Sequence, residues 1–319
     1  MNFYQSLLDM RNRRAVLFLG FSVVILVFII HLKHEIYTLT SERDALTAIN
    51  DDLHVRLEKV INLQTLQSIK ANNALPTVYA ITPTYKRYEQ KAELTRISQT
   101  LALVPNIHWI VIEDATENSL LVTKLLQDSS LIHYTHLSVK TPWDQQLRRS
   151  KQRWTKHRGV EQRNLGLHWL RKNRAGEGTG AVYFMDDDNT YNIKIFSEII
   201  KIRKVGIWPV GLVGGLSAEQ PIIDKETGKV TSYRTGWKPE RAFATDMAGF
   251  AINLTLILSN PDAVFSYKME KGNLESDFLS LLITKEELEP LADNCTKVFV
   301  WHTRTEKTKV NSEIPGLEV

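Results

Sequence analysis

The chain of 319 residues is 43% hydrophobic with a formal net charge of +4, which excludes a disordered tail and a polycation built to coat nucleic acid. The single cysteine, Cys295, excludes an intrachain disulfide, so a sizeable buried core must hold the fold.

The first element is a membrane segment. Arg11-Asn12-Arg13-Arg14 precedes "AVLFLGFSVVILVFII", Ala15–Ile30, an uncharged run that with His31 and Leu32 approaches the ~20 residues that cross a bilayer. Basic residues before the run and no small-residue cleavage site after it fit an uncleaved signal anchor: 1–14 cytoplasmic, 15–32 in the membrane, the rest lumenal. A buried core helix or a cleaved signal peptide is the competing reading. Residues 33–75 read as a helical stem, with Leu39, Leu46, Leu53 and Val60 one heptad apart, a seam along which two copies could pair, although Arg43 and Asn50 interrupt its companion seam. Asn253-Leu254-Thr255 and Asn294-Cys295-Thr296 are N-glycosylation sequons, usable only in the secretory lumen.

Pro76 opens the globular part, 76–319. "TVYAITPTY" is a β-rich run expected to stop at Thr82-Pro83-Thr84, because proline lacks the donor a central strand needs. "EQKAELTRISQTLALV" has helical spacing, "HWIVIEDA" and "LIHYTHLS" read as strands, "GVEQRNLGLHWLRKN" as a helix, "GAVYFMDDDN" as a strand, "NIKIFSEIIKIRK" as a helix and "VGIWPVGLVGG" as a strand. Strands alternating with helices give an α/β fold with a mixed, mostly parallel central sheet. Farther on, "GWKPERAFATDMAGFAIN" is less periodic, "GNLESDFLSLLI" is a helix with Glu275 near its start, and "VFVWHTRTEKTKV" is a strand placing His302 and Arg304 on one face. Glu275 there is either a helix cap or a site acid.

Three strands end in polar residues: Thr82-Pro83-Thr84-Tyr85, Glu113-Asp114 and Asp186-Asp187-Asp188. In a parallel sheet these ends converge, and that is where ligands bind. The triplet repels itself, so it is either a solvated turn or a seat for a cation. Carboxylate oxygens suit Mg²⁺ or Mn²⁺, whose coordination a nucleotide diphosphate commonly completes. The basic segment Arg148, Arg149, Lys151, Arg153, Lys156, Arg158 and Arg163 suits the same anion, unless it is only a solvated loop.

Taken in order, "VYAITPTYKR", "AELTRISQTLALVPNIHWIVIEDA", "RGVEQRN", "YFMDDDNTY", "WPVGLVGG", "DMAGFAIN", "NLESDFLSLL" and "DNCTKVFVWHTRTEK" resemble the β-1,3-glucuronyltransferases, glycosyltransferase family 43, from about Pro76 to the C-terminus. The resemblance implies a nucleotide-sugar-binding fold of the GT-A kind, with a donor-binding part, 76–190, and an acceptor-binding part, 191–319. It also implies a homodimeric, single-pass type II protein of the Golgi membrane. Its activity would be Mn²⁺-dependent, inverting transfer of glucuronic acid from UDP-glucuronate to a terminal galactose.

The same resemblance makes Asp188 the metal ligand, with Asp186 and Asp187 on the nucleotide and Asp187 at the ribose. Pro83, Thr84, Tyr85 and Asp114 match the uridine site, Arg158 and Arg163 the donor-binding arginines, and His302 and Arg304 the groups that meet diphosphate or the sugar carboxylate. Glu275 matches the base that deprotonates the attacking galactose hydroxyl, with Asp277 and Asp246 as lesser candidates. Glu219, Arg241 and Asp246 match acceptor-binding positions. The hairpin in "IIDKETGKVTSYRTGWKPER" is slightly longer than in the vertebrate members, which leaves the acceptor open between the Gal-Gal-Xyl proteoglycan linker and Galβ1-4GlcNAc of glycoproteins or glycolipids. Readings from other classes are a catalytically inactive glycan-binding protein and a metal-dependent phosphohydrolase using Asp186 as nucleophile.

Overall fold

Helix α1 (Asn2–Asn73) runs without a break through the expected span and stem. In this computed structural model residues 2–73, 75–131, 133–146, 156–176 and 179–306 are described, with side chains over 21–57 of the first stretch. The chain divides into two compact units, Met1–Ala71 and Asn72–Val319. In the first, the apolar side chains from Phe21 to Ile30 point outward, and the helix is long and apolar enough to cross a membrane, as a single-pass anchor requires. Leu39, Leu46 and Leu53 are exposed too. Val60 of the heptad seam lies outside the described side chains.

The second unit is layered α/β. Its elements in chain order are β1 (Thr77–Thr84), α2 (Gln90–Leu101), β2 (Ile107–Glu113), α3 (Leu120–Asp128), β3 (Tyr134–Ser138), α4 (Val160–Asn173), β4 (Gly180–Phe184), β5 (Thr190–Tyr191) and α5 (Lys194–Ile199). There follow β6 (Val205–Ile207), β7 (Val210–Gly211), β8 (Ala218–Ile223), β9 (Val230–Arg234), β10 (Phe250–Asn253), α6 (Leu254–Ser259), α7 (Leu274–Ser280), β11 (Leu288–Pro290) and β12 (Val300–Trp301). Among the described residues the main sheet has the order β11-β6-β10-β4-β1-β2-β3. Its central strands are apolar on both faces, as helix-covered parallel strands are: Val78, Ala80, Ile110, Val111, Val182 and Tyr183 are all buried. Strands β1, β2, β3 and β4 run parallel, and β10 alone is antiparallel to both its neighbours. The mostly parallel sheet expected from the sequence is therefore present.

Three local expectations change. β1 continues through Pro83, paired there with Ile112 of β2. Its pairing with β4 has already ended at Ile81 and Phe184, so the missing proline donor falls where only one neighbour remains. "VGIWPVGLVGG" is two strands, because the chain leaves the main sheet at Trp208-Pro209 and enters a second, smaller one of order β5-β12-β7-β8-β9. β12 ends at Trp301, so His302 and Arg304 lie beyond it rather than alternating along it.

Candidate active site

Register does the first work. Thr84 at the end of β1 is opposite Glu113 at the end of β2, and Asp186-Asp187-Asp188 follows directly on β4, the other neighbour of β1, so the three polar strand ends converge as expected. The backbone of the triplet is pinned from several sides. The Tyr191 hydroxyl donates to the Asp186 carbonyl (2.9 Å), while the Arg96 guanidinium (2.8 Å) and the Thr303 hydroxyl (2.9 Å) donate to that of Asp188.

The three carboxylates then meet three different fates. Asp186 accepts from Arg163 Nη2 at 2.6 Å. Arg163 is buried in the first turn of α4 and can fold back this way because Gly159, at φ 68°, leaves the space: a Cβ there would strike the guanidinium. Asp187 is buried between the Thr84 hydroxyl (2.6 Å) and Arg87 Nη2 (2.8 Å), and burial pushes its carboxyl up to about 6 against the pull of Arg87. Asp188 is half-buried, and among the described residues no donor or cation is paired with its carboxylate. Burial raises its pKa, with Asp186 and Glu93 adding their charge.

That donor set suits a hard cation. Among the described residues no three His, Cys, Asp or Glu side chains gather to hold a metal. The protein offers one free carboxylate oxygen site, and phosphate oxygens and water would supply the rest, as for Mg²⁺ or Mn²⁺ at a diphosphate.

The uridine-side positions cluster at the same sheet edge. Tyr85 is exposed, with the Arg87 guanidinium 4.5 Å over its ring. Pro83 faces the Gly159 turn, where a Cβ added to the glycine would come within 3.4 Å of the proline side chain. Asp114 is already occupied, one oxygen accepting from the Thr141 amide and the other from the Thr141 hydroxyl, both at 2.9 Å. Arg158 is exposed, and its carbonyl accepts from Arg163 (2.8 Å). Arg148, Arg149, Lys151 and Arg153 lie outside the described residues.

The positions assigned to the acceptor form the second half. Glu219 of β8 is buried and accepts from the Thr235 hydroxyl (2.5 Å). Arg241 donates to the carbonyls of Lys238, Gly272 and Trp237 at 3.1 to 3.2 Å, which ties the turn after β9 to the start of α7. Asp246 caps the Ala248 amide (2.9 Å) and lies 3.6 Å from His302 Nδ1, too far for a hydrogen bond but close enough for charge to be felt. Burial raises the Asp246 carboxyl, and Asp186 and Glu219 add to it. His302 is held by its amide to the Gly211 carbonyl (2.9 Å), with Arg304 Nη2 3.3 Å from its Nε2, so the pair meets without the strand.

Glu275 sits in the first turn of α7. Burial pushes its carboxyl up to about 7, Asp246 adds to the effect, and Arg241 and Arg163 oppose it. Asp277 is spent elsewhere, accepting from the Glu270 amide at 3.0 Å.

Two residues carry weight here that motif reading passed over. Arg87 lies in the quoted "TPTYKR", but nothing local shows that its partners are Asp187 and Glu93. Trp237 is half exposed beside Arg241, an uncommon place for an indole. Its turn is set by close approach, since a Cβ on Gly236 would overlap the Gly214 carbonyl and one on Gly272 would overlap the indole. Of the sequons, Asn253 caps α6 by accepting from the Thr255 amide (2.9 Å) and donates to the Ile202 carbonyl (3.3 Å), whereas Asn294 is exposed.

Comparison with known proteins gives the family. The chain is 44% identical over 300 residues to galactosylgalactosylxylosylprotein 3-beta-glucuronosyltransferase sqv-8 of Caenorhabditis elegans, covering 88% of this chain and 84% of that one. It is 51% identical over 250 residues to galactosylgalactosylxylosylprotein 3-beta-glucuronosyltransferase 3 of Mus musculus, covering 75% and 74%. Among solved structures, S. aureus TarS 1-349 in complex with UDP-GlcNAc is a distant likeness, at 16% identity and a TM-score of 0.45 over 73% of this chain and 60% of that one. The family model of glycosyltransferase family 43 matches residues 97–306, and the chain belongs to that family.

Proposed function

We propose that the protein moves glucuronic acid from UDP-glucuronate to the terminal galactose of the Gal-Gal-Xyl linker of proteoglycans, inverting the anomeric centre and using Mn²⁺. The acceptor follows the names of its relatives in worm and mouse. The observation that carries the chemistry is Glu275, a carboxyl pushed up to about 7 beside Asp246 and within the influence of Arg241 and Arg163. A carboxylate tuned near neutrality is ionised often enough to act and basic enough to take the hydroxyl proton as that oxygen attacks.

On the donor side, Tyr85 offers the nucleobase a stacking face, and Asp188 offers a carboxylate to the metal. Mn²⁺, when bound, neutralises charge on the diphosphate oxygens. Arg158, Arg163 and Arg304 supply cationic donors, with the His302 ring beside Arg304, that favour the negative charge growing on UDP as it leaves. Asp186 and Asp187 hold Arg163 and Arg87 in place, so their part in nucleotide binding runs through those arginines. On the acceptor side, Asp246 and Arg241 act electrostatically on the base, Glu219 acts on Asp246, and the exposed Trp237 indole gives an apolar face against which the C–H face of a sugar can lie.

The test is a transfer assay with radiolabelled UDP-glucuronate against Gal-Gal-Xyl and Galβ1-4GlcNAc acceptors, with and without Mn²⁺. Preference for the first acceptor, lost with the metal, is expected. Preference for the second would move the protein to glycoprotein epitopes, and donor binding without turnover on either would leave a glycan-binding protein.

The remaining cell-biological reading is a Golgi type II anchor with the second unit lumenal. Supporting it is the outward apolar face of α1, while the exposed Leu39, Leu46 and Leu53 favour a homodimer through the stem. A glycan is expected on Asn294 and not on Asn253, whose amide is committed to the β10–α6 junction. An Asn294→Gln variant should therefore lose its glycosidase-sensitive mass shift.

A further inference from the structure

The acidic triplet has three carboxylates and, among the described residues, two paired arginines. Arg163 on Asp186 belongs to the donor arginines already discussed, whereas Arg87, paired with Asp187, reaches further partners as well. Its side chain is almost covered, 12% exposed, and it meets two carboxylates at once, Asp187 (2.8 Å) and Glu93. It also donates to the Tyr85 carbonyl (3.1 Å) and lies over the Tyr85 ring.

Each of those contacts leads to a different part of the donor site. Tyr85 is the stacking candidate at the end of β1. Asp187 is the middle of the triplet and next to Asp188, and its other oxygen takes the Thr84 hydroxyl, which Gln90 of α2 in turn contacts at 3.1 Å. Glu93 of α2 reaches the C-terminal segment, accepting from the Thr305 amide (3.4 Å), one residue beyond Arg304. One guanidinium thus ties the strand carrying the nucleobase face, the loop carrying the metal-site carboxylate and the helix that touches the segment carrying His302 and Arg304. The guanidinium meets both carboxylates through Nη2 and the carbonyl through Nη1, a spread over two nitrogens with fixed N–H directions that a lysine ammonium, with its three donors on one atom, reproduces only in part.

Charge gives the same assignment. Without Arg87, Asp187 and Glu93 would stand as two unpaired acids in a buried setting beside Asp188, and the loop would have to move or take up a proton or a stray cation.

We propose that Arg87 is a positioning residue of the donor site. It neutralises Asp187 and Glu93 so that Asp188 alone faces the metal, and it holds Tyr85 in register with it. The proposal rests on the reading of this site as one for a nucleotide diphosphate.

The experiment measures UDP binding by calorimetry, with and without Mn²⁺, and transfer kinetics for both substrates, on the wild type, Arg87→Gln, Arg87→Lys and Arg87→Gln/Glu93→Gln. For Arg87→Gln, a rise on the order of tenfold or more is expected in the UDP dissociation constant with Mn²⁺ and in the donor KM. The acceptor KM should stay within about twofold, as for a site with no shared partner. Arg87→Lys should recover part of the loss by restoring charge, and the double variant part by removing the unpaired acid. Wild-type protein that binds no UDP would remove the donor-site reading itself. If the wild type binds and Arg87→Gln binds equally well, or loses donor and acceptor affinity alike, the assignment of Arg87 is overturned. Should Arg87→Gln fail to fold, Arg87→Lys decides: weakened UDP binding with an unchanged acceptor KM supports the proposal, and unchanged UDP binding overturns it.

Discussion

In the donor half of the site, Asp186 rests on Arg163 and Asp187 on Arg87, and only Asp188 is left bare. In the acceptor half the acids crowd with fewer cations. Asp246 raises Glu275, Glu219 adds to the rise at Asp246, Arg241 spends its donors on backbone carbonyls, and His302 stands 3.6 Å from Asp246. In the donor half the two paired carboxylates are held in place by their arginines, although burial still lifts Asp187 to about 6. The acceptor half, among the described residues, pairs no arginine with its raised acid. It lets burial and like charge lift a carboxyl into the range where it can exchange a proton at neutral pH.

The sharpest way to break this contrast is to remove the raised carboxyl. Glu275→Gln should lower the rate of transfer by about 10²–10⁴-fold, the usual worth of a general base, with UDP binding intact. Turnover near the wild-type level would mean that the base lies elsewhere. Stability should move the other way. A carboxyl whose folded pKa lies above its unfolded value destabilises the fold progressively as pH rises from about 4.5 to about 7. The glutamine variant should therefore match the wild type in thermal melts near pH 4 and exceed it above pH 7.

In the donor half, Asp188→Asn should raise the Mn²⁺ concentration for half-maximal transfer by at least roughly 10–100-fold, the loss already seen when a ligand's hydrogen-bonded partner is removed. An unchanged metal titration would show that Asp188 is not the ligand. The two halves should also separate by pH. With Glu275 as the ionised base and its carboxyl pushed up to about 7, the proposal predicts that kcat/KM falls about tenfold per unit below that pH and levels off above it. In Glu275→Gln that limb should vanish from the residual activity. A limb that persists unchanged would assign it to another group.

The smallest effect is expected one helical step away. Asp277 shares α7 with Glu275 but serves the Glu270 amide. Asp277→Asn keeps an acceptor there and should leave transfer within about twofold, as surface changes away from a site do. A loss comparable with that of Glu275→Gln would reverse their ranking.

Much of this was legible from the chain. The runs ending in Thr84, Asp114 and Asp188 have the length and two-faced apolarity of covered parallel strands, and parallel strands bring their ends together whatever the details of packing. Glu275 could be placed in a first helical turn because the apolar spacing of "LESDFLSLL" fixes the phase. Where expectation and structure part, the cause is a neighbour in space. Pro83 is tolerated because β4 has ended beside it. Pro209 moves the chain to a second sheet that no local pattern announces. His302 and Arg304 meet through turns after a strand only two residues long.

The sequence by itself therefore determined the apolar anchor helix, the α/β alternation and the residue types at the strand ends, because these depend on periodicity and on what each side chain can do. Only the tertiary structure decided how the charges are shared out. Arg163 reaches Asp186 across a turn opened by Gly159, Arg87 is placed between Asp187 and Glu93, and Asp246 comes near both His302 and Glu275. Coulomb energy depends on separation and on local burial, and neither is written in the order of residues along a chain.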